Sequence, residues 1–241
     1  MIGGFIISNT GAKPVLIRAI GPSLSQSGLT DVLADPVLEL HRADQSIIQS
    51  NDNWQDDPAQ AALIEATGIP PQNRLESAMV VTLDPGAYTA VVQGKNGSTG
   101  IGLVEIYDLD QSEDSLLANI STRGFVQAED NVMIGGFILG EGSSGPQVVI
   151  RAIGTSLKQA GITNALADPT LELRNADGDL IGSNDNWKSI QQAEIKAIGL
   201  APKKDAEAAL LENLPPGSYT VIVAGKDGGT GVGLVEIYSI E

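Results

Sequence analysis

Short runs of apolar residues, separated by glycine, proline, asparagine and aspartate, fill nearly the whole chain. Residues 4–8, 15–20, 37–42, 46–50, 78–83, 86–93 and 100–107 are rich in Val, Ile, Leu, Phe and Tyr and too short for helices. This pattern predicts seven strands of an all-β sandwich. One stretch departs from it. Asp57-Pro58 offers a cap and a first-turn proline, residues 59–67 continue with alanine and leucine, and Gly68 closes, which predicts a short flanking helix.

The pattern then starts again. Ile17-Arg18-Ala19-Ile20-Gly21 recurs as Ile150-Arg151-Ala152-Ile153-Gly154, and Gly102-Leu103-Val104-Glu105-Ile106-Tyr107 as Gly233-Leu234-Val235-Glu236-Ile237-Tyr238. The offset between matching blocks drifts by a residue or two, as when loops change length between fixed strands. A repeat of about 110 residues is long enough to bury its own core, unlike the shorter unit of a solenoid. The expected organisation is two tandem homologous β-sandwich, jelly-roll-like domains, residues 1–110 and 133–241, joined by a connector of residues 111–132. The second helix is expected at residues 189–198, closed by Gly199. Residues 116–126 precede the second Met-Ile-Gly-Gly-Phe, whereas nothing equivalent stands before the first. They read as an extended linker or as an edge or donated strand, and in the latter case the first domain has an open edge able to pair with another chain.

Composition narrows the partners. Lys plus Arg number 14 against 30 Asp plus Glu, a net charge of -16, and no basic run exists to neutralise a nucleic-acid backbone. An acidic globular chain can instead collect divalent cations. No apolar run reaches the ~18 residues of a membrane-spanning helix. Met1-Ile2-Gly3-Gly4-Phe5-Ile6-Ile7 has an internal twin at residues 133–139 and no charged leader, so it is expected to be a strand rather than a signal peptide.

The doubled acidic loop is the main candidate site. Asn51-Asp52-Asn53-Trp54 recurs as Asn184-Asp185-Asn186-Trp187, while the residues beside it change. Consecutive oxygen-bearing side chains on a loop suit Ca2+, which takes about six to eight hard oxygen ligands. Asp35, matched by Asp168, and Glu76, matched by Glu207, keep station with it. The expected ligands are therefore Asp35, Asn51, Asp52, Asn53 and Glu76, and Asp168, Asn184, Asp185, Asn186 and Glu207, with one Ca2+ per repeat. The same residues also serve ordinary Asx turns and strand starts.

Other motifs read structurally. Asp177-Gly178 is expected as a two-residue hairpin turn, and the loop Gly94-Lys95-Asn96-Gly97, with its twin from Gly225, as a glycine-rich hairpin, because a phosphate loop needs its lysine before a helix. Arg18 and Arg151 within apolar strands are expected to pair with a carboxylate, Glu105 or Glu39 in the first repeat. The single histidine, His41, has Arg174 as its twin, and there is no cysteine or nucleophile elbow, so no catalytic residues are expected and the chain reads as a non-enzyme.

Asp-Pro-x-Leu-Glu-Leu, Asn-Asp-Asn-Trp, Glu-Ser-Ala or Glu-Ala-Ala, and Pro-Gly-x-Tyr-Thr together resemble bacterial pre-peptidase C-terminal-like domains. The resemblance implies a calcium-binding sandwich of secreted proteins, with calcium carried onto Asp52, Asn53 and Glu76 and onto Asp185, Asn186 and Glu207. The function expected is an extracellular, secreted or cell-surface module of structural or adhesive role. It is stabilised by calcium and self-associates, or packs beside neighbouring repeats of a longer array, through strand edges. The other reading is a carbohydrate- or peptide-binding accessory module of a secreted enzyme, with a surface glycan or protein as partner. Aromatic residues at only 4% leave little for a sugar-stacking platform.

Overall fold

The computed structural model of the protein describes residues 1–110, 115–129, 131–140 and 145–240; residues 111–114 and 130 of the expected connector lie outside them. The chain divides into two compact units, Met1–Ala118 and Asn119–Glu241. The second unit begins inside the segment expected as connector.

The first unit runs β1 (Ile2–Asn9), β2 (Lys13–Ile20), β3 (Pro36–Arg42), β4 (Ile47–Asn51), α1 (Pro58–Ala66), β5 (Ser77–Leu83), β6 (Gly86–Gly94) and β7 (Leu103–Asp108). Strands in the order β1-β6-β3-β4 face strands in the order β5-β2-β7, with antiparallel pairing throughout. Alternation builds the core: Phe5, Leu38, Leu40, Ala90 and Val92 point inward from one sheet, and Val15, Ile17, Ala19 and Met79 from the other. Phe5 lies opposite Tyr88 in register, and their rings stack at 5.5 Å between centroids.

β2 explains the helix. Its sequence is apolar on both faces because both are covered: Ile17 faces the sandwich core, while Leu16 packs outward against Trp54, Ile64 of α1 and Ala78. Asp57 caps α1 by accepting hydrogen bonds from the Ala59 and Gln60 N–H groups, and Pro58 stands in the first turn. Gln60 then uses its amide like a short strand, accepting from Val80 N–H and donating to Val80 C=O on the outer edge of β5.

The second unit runs β8 (Ser115–Val126), which begins ahead of it, then β9 (Met133–Leu139), β10 (Gln147–Ile153), β11 (Pro169–Arg174), β12 (Leu180–Asn184), α2 (Gln192–Ala197), β13 (Ala208–Asn213), β14 (Gly217–Gly225) and β15 (Gly231–Ile240). Its strands lie in the orders β13-β10-β15-β8 and β12-β11-β14-β9. The core again combines both sheets, including Val148, Ile150, Leu171, Leu173 and Val221. Thus residues 119–126, an open choice between linker and strand in the sequence, pair with β15.

Three expectations need correction. The loops from Gly94 and Gly225 are not hairpins: β6 pairs with β1 and β3 while β7 pairs with β2, so the loop carries the chain from one sheet to the other, as its twin does. The turn at Asp177-Gly178 joins a hairpin through a five-residue loop, residues 175–179, because Arg174 pairs with Leu180 and Asn175 Oδ1 accepts from the Asp177 and Asp179 N–H groups. Gly178 takes the left-handed conformation there, φ 83°. The second helix is shorter than residues 189–198. Ser189 stays in the preceding loop, donating to Asn186 C=O, and Gln191 sits at φ 53°, outside helical geometry, with its amide paired to Leu211 as Gln60 is to Val80.

Candidate cation centre

The acidic loop is held by hydrogen bonds that its own sequence supplies. At the end of β4, Asn51 Oδ1 accepts from Ala78 N–H at 3.0 Å and its Nδ2 donates to Asn53 C=O at 3.1 Å. Ser77 Oγ donates to Asp52 C=O, and Trp54 N–H donates to Glu76 C=O at 2.9 Å. The loop is therefore stapled to the start of β5. The second unit repeats this: Asn184 Oδ1 accepts from Ala209 N–H at 3.1 Å, and Trp187 N–H donates to Glu207 C=O at 2.9 Å. Trp54 and Trp187 turn inward and are 6% and 3% exposed, which leaves no aromatic face beside the loop for a sugar.

Asp52 and Asp35 meet around one ammonium group. Lys95 Nζ lies 2.6 Å from Asp52 Oδ2 and 3.6 Å from Asp35 Oδ2, and Lys95 N–H donates to Asp35 C=O. In the second unit Lys226 Nζ lies 2.6 Å from Asp185 Oδ2 and 3.9 Å from Asp168 Oδ2. Hydrogen bonding to Asp52 holds the Lys95 ammonium above the usual lysine range, and Asp185 does the same for Lys226. The lysines come from the Gly94 and Gly225 loops, so the crossover between sheets aims them at the acidic loop. Sequence reading weighed these lysines only for phosphate; their retention in both copies was the overlooked signal.

The remaining oxygens are informative. Asp35 Oδ1, Asp52 Oδ1 and Asn53 Oδ1 are buried and accept no hydrogen bond, and the same holds for Asp168 Oδ1 and Asp185 Oδ1. A buried carboxylate oxygen without a donor is costly. Two aspartates and an amide in the first unit, and two aspartates in the second, thus carry unsatisfied hard oxygens, the donor type that Ca2+ takes. Such a set needs main-chain oxygens and water to complete its shell, since no cluster of three or more His, Cys, Asp or Glu gathers among the described residues.

Four expected ligands have other employment. Glu76 is fully buried, and its carboxylate accepts from Gly21 N–H, Ser23 N–H, Ser23 Oγ–H and Asn73 N–H at 2.8 to 3.2 Å. Glu207 accepts from Gly154, Ser156 and Lys204 in the same way. Each glutamate thus anchors a 3-10 turn, Pro22–Ser27 or Thr155–Ala160, that the pattern of apolar positions did not predict. Asn51 and Asn184 are spent on the staple described above. Asn186 Oδ1, unlike Asn53 Oδ1, is not among the orphaned atoms. The serine two residues after Gly21 and after Gly154 was the sequence signal for the glutamate's true partner.

A second pair kept in both repeats is structural in each unit. Arg18 Nε and Nη2 donate to Glu105 Oε2 at 2.9 and 2.6 Å, and Nη1 donates to Ile69 C=O. Arg151 binds Glu236 and Leu200 C=O likewise. Tyr107 and Tyr238 cover these guanidinium groups and donate to the same glutamates at 2.8 Å. Of the two partners open to Arg18, Glu105 is the one used.

No family model matches the chain, and no curated protein does. The resemblance to pre-peptidase C-terminal-like domains therefore stands on the quoted residues alone. Among solved structures, one from Eubacterium rectale described as "a putative secreted protein" is similar at 10% identity, covering 98% of this chain and 68% of that one, with a TM-score of 0.23. Dimeric latent PorU from Porphyromonas gingivalis is similar at 12% identity, covering 99% of this chain and 24% of its own, with a TM-score of 0.25. Neither likeness is strong enough to carry a functional conclusion.

Proposed function

We propose that the chain is a pair of structural β-sandwich units from an extracellular repeat protein, each closed by a calcium ion at its acidic loop. The observation that carries this reading is the matched set of orphaned oxygens, Asp35 Oδ1 with Asp52 Oδ1 and Asp168 Oδ1 with Asp185 Oδ1. Asn53 adds a further oxygen in the first unit. Bound calcium would neutralise carboxylates that one lysine satisfies only on the Oδ2 side, and would tie the β3 start to the loop after β4. The resemblance and the acidic composition support the extracellular setting, where calcium is abundant. With both Trp side chains buried, the structure lends nothing to the sugar-binding reading.

The test is thermal melting of the full chain in chelator and in ~10 mM calcium. Extracellular modules bind calcium with Kd of about 0.1–1 mM, so the linkage relation gives about 1.4–2.7 kcal/mol of stabilisation. That is a rise of roughly 5–10 °C for a unit of this size. Asp52→Asn combined with Asp185→Asn should remove it. An unchanged midpoint in the wild-type chain would sink the reading.

A further inference from the structure

The same strand sequence stands in two states of pairing in this chain. β15 has β10 on one side and β8 on the other, with Gly233 opposite Gly124, Val235 opposite Thr122 and Ile237 opposite Ile120. β7, whose Leu103-Val104-Glu105-Ile106-Tyr107 repeats the β15 sequence, has β2 on one side and is the last strand of its sheet.

The β8 contribution to the second unit is specific. Val126 is fully buried in the core, and Asn119 Nδ2 donates to Ile237 C=O at 3.0 Å from a buried position. Gly233 is glycine for a reason: a Cβ there would stand 3.1 Å from Val126 Cγ2. Its twin Gly102 has kept the glycine with no such neighbour, since a Cβ there would meet nothing closer than 3.5 Å. Among the described residues, no side chain fills a slot at Gly102 as Val126 does at Gly233. Burial shows the same difference. Val235 and Ile237 are 1% and 7% exposed, whereas Val104 and Ile106 are only half-buried, although Leu117 packs against the same core, and Leu103 is 39% exposed.

The other edge of the sheet is protected and this one is not. Gln60 occupies the β5 edge at Val80. β7 carries no proline, lysine or bulge to discourage pairing, and Glu105, its one charge before the terminal Asp108, is drawn over β2 by Arg18, away from the edge.

We infer that the free edge of β7 accepts an antiparallel strand of the kind formed by residues 119–126, supplied by another repeat of this type. This rests on reading the chain as part of a repeat array. The register carries over from β15: the incoming glycine lies opposite Gly102, the residue equivalent to Thr122 opposite Val104, the one equivalent to Ile120 opposite Ile106, and the terminal valine enters the Gly102 slot. Main-chain hydrogen bonds supply affinity and the valine and glycine supply register, as in other strand additions.

The probe is a labelled synthetic peptide of residues 116–126, titrated into the full chain and followed by fluorescence anisotropy. Saturable one-to-one binding is expected, with no binding of a scrambled peptide. Peptide carrying Val126→Asp should bind at least about tenfold more weakly, because the buried valine is lost. Gly102→Val should fill the slot from the protein side, leave the melting midpoint close to wild type and weaken peptide binding by a similar factor. Absence of saturable binding to ~1 mM, or binding indifferent to both changes, overturns the proposal. The calcium-dependent melting shift is read on the same sample. A chain that keeps the shift and ignores the peptide overturns strand acceptance alone, and one that binds the peptide without the shift overturns the calcium reading alone.

Discussion

Glu76→Gln separates the cation-ligand role expected of this residue from the structural-anchor role that its hydrogen bonds give it. In the structure Oε1 accepts from Gly21 and Ser23 N–H, and Oε2 accepts from Ser23 Oγ–H and Asn73 N–H. A glutamine keeps one oxygen for the first pair. Its NH2 then faces the Asn73 N–H donor with no lone pair to offer, and the Ser23 hydroxyl must reverse. One buried charge-assisted hydrogen bond is lost and a donor is left without an acceptor, together about 2–4 kcal/mol. At roughly 4 °C per kcal/mol, the first unit should melt about 8–16 °C lower. The calcium-dependent shift should survive, because neither carboxylate oxygen is free for a cation. Calorimetry with and without calcium reads both quantities at once. A variant that melts like wild type but loses its calcium response would refute the anchor role and return Glu76 to the ligand set.

Three further outcomes follow from the geometry. Lys13 is wholly buried, donating to both oxygens of Asp108 and to Asp110 C=O, while the second unit has Pro146 in its place. Lys13→Ala should cost about 3–5 kcal/mol and strip hydrogen-exchange protection from β2 but not β10, with Lys13→Met plus Asp108→Leu recovering most of it. Gly21→Ala places a Cβ 2.0 Å from Leu33 C=O and should abolish folding of the first unit by circular dichroism and exchange, with Gly154→Ala doing the same to the second. Burial, then the Glu236 charge, push the Tyr238 phenol up to about 12 from 10.0. The folded chain therefore holds this proton longer than the unfolded one, and the associated stability is intact below pH 10 and lost between 10 and 12. Ultraviolet titration should show a late-ionising tyrosine that Tyr238→Phe removes; ionisation of all four tyrosines near 10 would contradict this.

The strands were legible because alternation and turn residues are local. So was the duplication, and with it the need of Arg18 for a carboxylate, since a charge inside an apolar strand demands a partner, while the choice of Glu105 over Glu39 came from the strand pairing. What escaped the sequence was set by distance. The acidic loop and Glu76 are joined through the main chain of Trp54, yet the glutamate side chain points to Gly21 and the aspartate to Lys95, residues brought in by separate crossings between sheets. Lys95 itself was hidden by a loop that looks like a hairpin; only the pairing of β7 with β2 shows that the loop changes sheets. Helix α2 was overestimated because apolar spacing does not register Gln191, whose amide is needed at the strand edge and whose backbone is bent to place it there.

The two units differ least where sequence alone would look for function and most where it would not. Both acidic loops pair two aspartates with a lysine and differ in the extra oxygen of Asn53, so a calcium response should come from each unit. The edges beside Val104 and Val235 do distinguish them. In the second unit, burial of β15 depends on β8, and Val126 contributes to the core from that strand. A first unit completed in the same way would gain that burial when such a strand is present, so its folding free energy would include a term belonging to the contact. Stability would then pass between repeats as a nearest-neighbour quantity, the condition under which arrays of otherwise modest units become cooperative along their length. The retained Gly102, which costs backbone entropy and is pressed by no atom of the described residues, is the residue whose presence that coupling accounts for.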